Sequence, residues 1–101
     1  MIFFFFVILT FSTYFNVFSQ CGDNSQSVIY YQTQLDSLDG CEIFFGSLFI
    51  NSENVYNLDP LNSLITVHGG LYILNTNISS LSPLSNLYNV SSIYIQGNNL
   101  L

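Results

Sequence analysis

Apolar residues recur along this chain at a spacing of 23, and three segments superimpose in that register. Leu35, Leu58 and Leu81 correspond, as do Leu38, Leu61 and Leu84, then Cys41, Leu64 and Leu87, then Phe44, Val67 and Val90. Leu48 with Leu71 and Ile50 with Ile73 continue the pattern; the third copy drops one residue and resumes at Ile93 and Ile95. Val55, Ile78 and Leu100 close the copies. A period of this size marks a solenoid, because one repeat presents an apolar edge that it can bury only against its neighbours. The expected fold is mainly β, a leucine-rich-repeat-like solenoid of about three turns.

Within each copy the triplets Leu48-Phe49-Ile50, Leu71-Tyr72-Ile73 and Ile93-Tyr94-Ile95 alternate, so the outer two residues point inward and the middle one outward. Stacked in register they predict a parallel sheet. Gly46, Gly69 and Gly70 stand just before these triplets, where a tight turn with positive backbone angles is expected. Pro60 and Pro83 stiffen the opposite corner. Asn54, Asn77 and Asn99 precede the closing apolar residues, which predicts a buried asparagine ladder holding backbone groups where strand bends into loop.

Before the first copy, Ser27 to Gln32 reads as a strand rich in β-branched and aromatic residues. Thr33 with Asp36 three residues later predicts the start of a short helix, with Leu35 and Leu38 on its buried side. Strand and helix together read as the N-terminal cap that a solenoid needs over its open end.

Composition adds the compartment. The chain has 101 residues and half are hydrophobic, but only the first eighteen form a dense apolar block. Ile2 to Leu9 resemble the h-region of a secretion signal, and Val17-Phe18-Ser19 offers a cleavage site, giving residues 1–19 as signal and 20–101 as the mature domain. An uncleaved anchor helix is the alternative, opposed by the polar residues Thr10, Ser12, Thr13 and Asn16 within a short stretch. The n-region lacks Lys and Arg, which is unusual for a signal. The expected location is secreted or cell-surface, with the membrane met only through the targeting segment. Two cysteines in an exported chain favour a Cys21–Cys41 bridge, worth about 3 kcal/mol in the chain-entropy model.

The chain has no Lys or Arg against six carboxylates, so it lacks the basic patch that nucleic acids require. Asp23, Asp36, Asp39, Glu42, Glu53 and Asp59 do not follow calcium-loop spacing, and one histidine with two cysteines does not make a zinc site. No metal or cofactor is expected. His68, beside Gly69 and Gly70, reads as an exposed imidazole at a turn; Ser79, Ser80, Ser82, Ser85, Ser91 and Ser92 read as loop residues. No catalytic residue is expected, since neither convergent carboxylates nor an activated nucleophile beside a base is evident.

Two features bear on contacts. Phe49, Tyr72 and Tyr94 form an outward stripe one sheet spacing apart, suited either to binding a partner or simply to stacking ring on ring; Leu74 adds apolar surface beside it. Asn77-Ile-Ser79 and Asn89-Val-Ser91 are glycosylation acceptor sequences, Asn89 being preferred because Asn77 belongs to the expected ladder.

Leu35, Leu38, Cys41, Phe44, Gly46, Leu48 and Ile50, followed by Leu61, Leu64, Val67, Gly69, Gly70, Leu71 and Ile73, resemble the opening of a receptor L domain, the leucine-rich-repeat-like β-helix of insulin- and epidermal-growth-factor-receptor ectodomains. The resemblance runs over residues 21 to 101 and implies a right-handed single-stranded parallel β-helix, a first disulfide between Cys21 and Cys41, and no catalysis. Such domains have more turns, and this sequence stops within a copy, so a fragment or truncated product is expected. Nothing resembles a cysteine-rich region, transmembrane helix or kinase. The functional expectation is a recognition or adhesion module for a protein or carbohydrate at the cell surface; the alternative is a structural wall or matrix protein, self-associating through the open last turn at Ile93 to Ile95.

Overall fold

The structure is a computed structural model that describes residues 18–101. The expected targeting segment falls almost wholly outside them. The fold is mainly β: four parallel strands form one open sheet in the order β1-β2-β3-β4, consistent with a solenoid. These are β1 (Gln20–Ile29), β2 (Ile43–Asn51), β3 (Thr66–Leu74) and β4 (Asn89–Gln96), with helix α1 (Gln32–Asp36) after β1. Single 3-10 turns at Asp59–Leu61 and Ser82–Asn86 lie in the β2–β3 and β3–β4 connections. Pro60 and Pro83 are the second residues of these turns, where a missing N–H costs nothing.

The 23-residue period is the register itself. Phe44 pairs with Val67, Leu48 with Leu71 and Ile50 with Ile73. One bonding pattern recurs at each strand entry: the carbonyls of Ser19, Glu42 and Ile65 each accept two successive amides from the next repeat, at 2.8–3.1 Å. The residue missing from the third copy is absorbed beside Gly69 and Gly70, where three steps from Val67 to Gly70 oppose two from Val90 to Ser92. Bulges of this kind let strands of unequal length keep both ends in register.

The inward rows make the core. Leu35 and Leu58, Cys41 and Leu64, Phe44 and Val67, Leu48 and Leu71, Ile50 and Ile73, and Val55 and Ile78 are all buried. Each such aliphatic side chain contributes about 1.5–3 kcal/mol through burial. Their third-copy counterparts are more open, with Ile93 at 45 %, Ile95 at 40 % and Leu100 at 59 % exposure, because β4 is the outer strand of the sheet.

Several local expectations are corrected. The first strand begins at Gln20 and ends at Ile29, leaving Tyr30 and Tyr31 exposed. Thr33 lies inside α1 rather than capping it; the Gln34 side chain caps instead, its Oε1 accepting from the amides of Tyr30 at 2.7 Å and Tyr31 at 3.1 Å. The three glycines lie within strands, and of them Gly46 alone has a positive φ, +106°. Gly69 is required for a different reason, since a Cβ there would fall 2.8 Å from the Gly46 backbone of the adjacent strand.

Asn54, Asn77 and Asn99 are exposed, so they form no buried ladder. Asn77 does reach the preceding repeat, its Nδ2 donating to the Glu53 carbonyl at 2.9 Å. A more enclosed link is built one position earlier. Asn98 Oδ1 accepts from the Thr76 amide at 2.9 Å and from its hydroxyl at 2.6 Å, while Asn98 Nδ2 donates to the Ile73 carbonyl at 2.8 Å. Backbone direction decides this: both neighbours of Val55 and of Ile78 face out, and the enclosed positions, Thr76 and Asn98, lie two residues before Ile78 and Leu100.

The N-terminal segment is fastened twice. The Cys21–Cys41 disulfide joins β1 to the residue pair before β2, with Cα atoms 6.0 Å apart, and both cysteines pack on the core. Gln32 is the second fastening: buried, it donates from Nε2 to Asp36 at 3.0 Å and to the Asn57 carbonyl at 3.1 Å, and accepts at Oε1 from the amides of Tyr56 and Asn57 at 2.9 and 3.2 Å. Gln32→Ala therefore removes both the acceptor for two amides and a carbonyl's donor, and is expected to lower stability by about 1–3 kcal/mol. In urea titration its midpoint should fall with an unchanged slope. Replacing both cysteines by serine should cost about 3 kcal/mol in the same assay.

Candidate functional site

The outer face of the sheet is the surface that the repeat organises most strictly. Inward placement of Phe44, Leu48 and Ile50 turns Phe45, Ser47, Phe49 and Asn51 outward, and register carries the same parity into β3 and β4. The resulting rows are Phe45 with His68; Ser47, Gly70 and Ser92; Phe49, Tyr72 and Tyr94; and Asn51, Leu74 and Gln96. None of these side chains is a carboxylate.

The structure brings Phe49, Tyr72 and Tyr94 together as expected from their spacing. Phe49 and Tyr72 are stacked at 4.1 Å between centroids and 3° between planes; Tyr72 and Tyr94 at 5.2 Å and 2°. These separations bracket the 4.7–4.9 Å spacing of neighbouring strands, so the ladder sets the stack. Between strands the ring faces are consequently turned against each other, while the outer face of Tyr94, on the last strand, is turned away from the stack. Exposure follows position: Phe49 and Tyr72 are half-buried, and Tyr94 is 57 % exposed.

A second stack was not legible as such. Phe45 and His68 lie at 4.6 Å and 9°. They are 23 residues apart, so extending the repeat alignment by one outward position would have found them. His68 is exposed, but it stands within β3 rather than at a turn. Ser91 and Ser92 likewise belong to β4 and not to a loop. The Ser91 hydroxyl donates to the His68 carbonyl at 3.0 Å.

Between the two aromatic rows the positions are small. Ser47 Oγ accepts from the Gly70 amide at 3.1 Å. A Cβ on Gly70 would lie 2.6 Å from Tyr72 Cε2 and 2.9 Å from Ser92 Oγ. The Tyr72 ring thus leans over Gly70, and the glycine makes room for it.

The carboxylates lie elsewhere. Asp36, Asp39 and Asp59 border one surface hollow with Asn57, Pro60 and Asn62. Asp23 lies in the bulge of β1, where the Ser25 hydroxyl and then the Ser25 amide, at 3.1 Å, hold its carboxyl below the usual carboxylate range. Among the described residues no group of three His, Cys, Asp or Glu side chains is placed to hold a metal ion. No helix among them is long and apolar enough to cross a membrane.

No curated protein and no solved structure matches the chain. The family model of the receptor L domain matches residues 40–101, which takes in β2, β3, β4 and both 3-10 turns. Receptor L domains are extracellular and take part in ligand binding at the cell surface. With more than half of its length matched, and with the disulfide and parallel strands that its sequence led one to expect, this chain belongs to the receptor L domain family.

Proposed function

We propose that this chain is a non-catalytic extracellular recognition or adhesion module, binding a partner at the cell surface through the outer face of its parallel sheet. In this reading the three copies are turns of a right-handed single-stranded β-helix, closed at one end by β1, α1 and the disulfide. The observation that carries it is the stack Phe49, Tyr72 and Tyr94 among outward rows of β2, β3 and β4 that hold no carboxylate, in a chain whose net charge is −6. Removing charge from one face of an acidic protein lowers the desolvation cost of contact there.

Geometry favours a protein over a carbohydrate as the partner. A sugar ring that lies flat on an aromatic platform needs an open ring face, and here the faces between strands are occupied by neighbouring rings, which leaves a sugar only the outer face of Tyr94. Ring edges carry partial positive charge and suit backbone carbonyls and the faces of a partner's aromatic side chains. Tyr94 is the central contact, being the most exposed ring of the three.

The second reading, a structural protein that self-associates, is favoured by one observation: Ile93, Tyr94 and Ile95 are all well exposed on the outer strand β4. Concentration-dependent sedimentation separates the two, since a recognition module stays monomeric over the range in which it binds.

The experiment is to probe arrays of secreted proteins and of neutral glycans with the native chain, Tyr94→Ser and Gly70→Ala. Tyr94→Ser is expected to weaken a bound protein at least about tenfold, as removal of an interface hot spot does, while costing about 0.5–1 kcal/mol of stability. Gly70→Ala should displace the Tyr72 ring, changing the near-ultraviolet circular dichroism and weakening the same partner. If both variants merely melt at lower temperature and bind unchanged, the stripe is only a stabilising stack.

A further inference from the structure

Asn89 opens β4 and faces outward beside Thr66, which itself pairs with Ile43. It therefore stands at the border of the sheet face where the strands begin. Its backbone is fixed by the bond from its amide to the Ile65 carbonyl at 3.1 Å, and its side chain is exposed. Val90 and Ser91 complete an Asn-x-Ser acceptor sequence.

We propose that Asn89 carries an N-linked oligosaccharide, a site that rests on the extracellular reading given above. In the transfer, Asn89 Nδ2 forms a bond to the anomeric carbon of the sugar. That carbon's bond to its lipid-linked diphosphate donor breaks, the diphosphate leaves with the electron pair, and the amide gives up one proton.

The fold discriminates between the two acceptor sequences. Asn77 is exposed too, so burial does not disfavour it; its Nδ2 is instead committed to the Glu53 carbonyl across the repeat boundary. A sugar on that nitrogen would be pressed against the main chain of the preceding repeat. Beside Asn89 lies an open hollow of ≈ 330 Å³ lined by Thr66, Val67, His68, Val90 and Ser91, which gives the first sugar room. His68 is covered on one face by Phe45, and Ser91, next to it on β4, is small.

The position also has a consequence for recognition. Tyr94 is five residues along the same strand, about 16 Å at roughly 3.3 Å per residue. A glycan on Asn89 shields the amino-terminal border of the face and leaves the aromatic stack open at the other end, so a partner must approach over Tyr94, Leu74 and Gln96.

The test is to express the full chain in a eukaryotic secretory host and map peptides before and after peptide N-glycosidase, which turns a modified asparagine into aspartate. The native protein is expected to carry one glycan, at position 89. Asn89→Gln and Ser91→Ala should lose it and Asn77→Gln should keep it, with Asn89→Gln showing an unchanged melting temperature. Secreted protein with unmodified Asn89, or with a glycan lost only in Asn77→Gln, overturns the site and leaves the extracellular reading standing. Glycans at both positions overturn the discrimination drawn from the Glu53 contact. Chain retained in the cytosol with Asn89 bare overturns the extracellular reading and the site together.

Discussion

Parallel strands in this sheet lie one hydrogen-bond spacing apart, about 4.8 Å, with residue i beside residue i+23 across most of the ladder. Each side chain therefore meets its own counterpart in the next repeat. Where the counterpart is aliphatic and inward, as with Leu48 and Leu71, the result is a dry core. Where it is aromatic and outward, as with Phe49 and Tyr72, the result is a stack whose separation is that of the strands. Core and candidate contact surface are two faces of one pairing rule.

The same rule makes like charges costly, because a carboxylate repeated at the period would face another at close range. The six carboxylates mostly avoid this: Asp39 aligns with Asn62, Glu42 with Ile65 and Glu53 with Thr76. Asp36 and Asp59 are the exception, one period apart beside the same hollow. Gln32 Nε2 donates to Asp36 there, so the buried amide that fastens α1 also bonds one carboxylate of this pair. The outward rows of β2, β3 and β4 are left without a carboxylate by this distribution, and that is what sets them apart as a place for a partner.

Small residues do the complementary work of allowing close approach. Gly69 lets β2 and β3 pass where a Cβ would strike the backbone, and Gly70 yields its place to the Tyr72 ring. The bulge at these glycines lets the shorter third copy return to register at Ile93, so Tyr94 lands on the stack. Loss of that correction would turn Tyr94 toward the core, since a one-residue slip exchanges the faces of a strand.

Much of this was written in the order of residues. The 23-residue period gave the parallel register, the inward rows and the Phe49, Tyr72 and Tyr94 stripe, because repeated spacing is a property of the chain that stacking converts directly into neighbours; the bridge was legible separately, from two cysteines in a chain expected to be exported. The expected ladder at Asn54, Asn77 and Asn99 failed by one position, and the Gln32 clamp was missed altogether, its place taken by an expected strand. Both depend on which way the backbone turns at a corner, and a spacing pattern does not encode that direction. Tertiary structure alone decided that the ring faces between strands are covered, that His68 lies on Phe45, and that the Asn77 side chain is tied to Glu53 while that of Asn89 is exposed at the start of β4. Periodicity fixes who is adjacent; only the folded backbone fixes how adjacent groups are oriented.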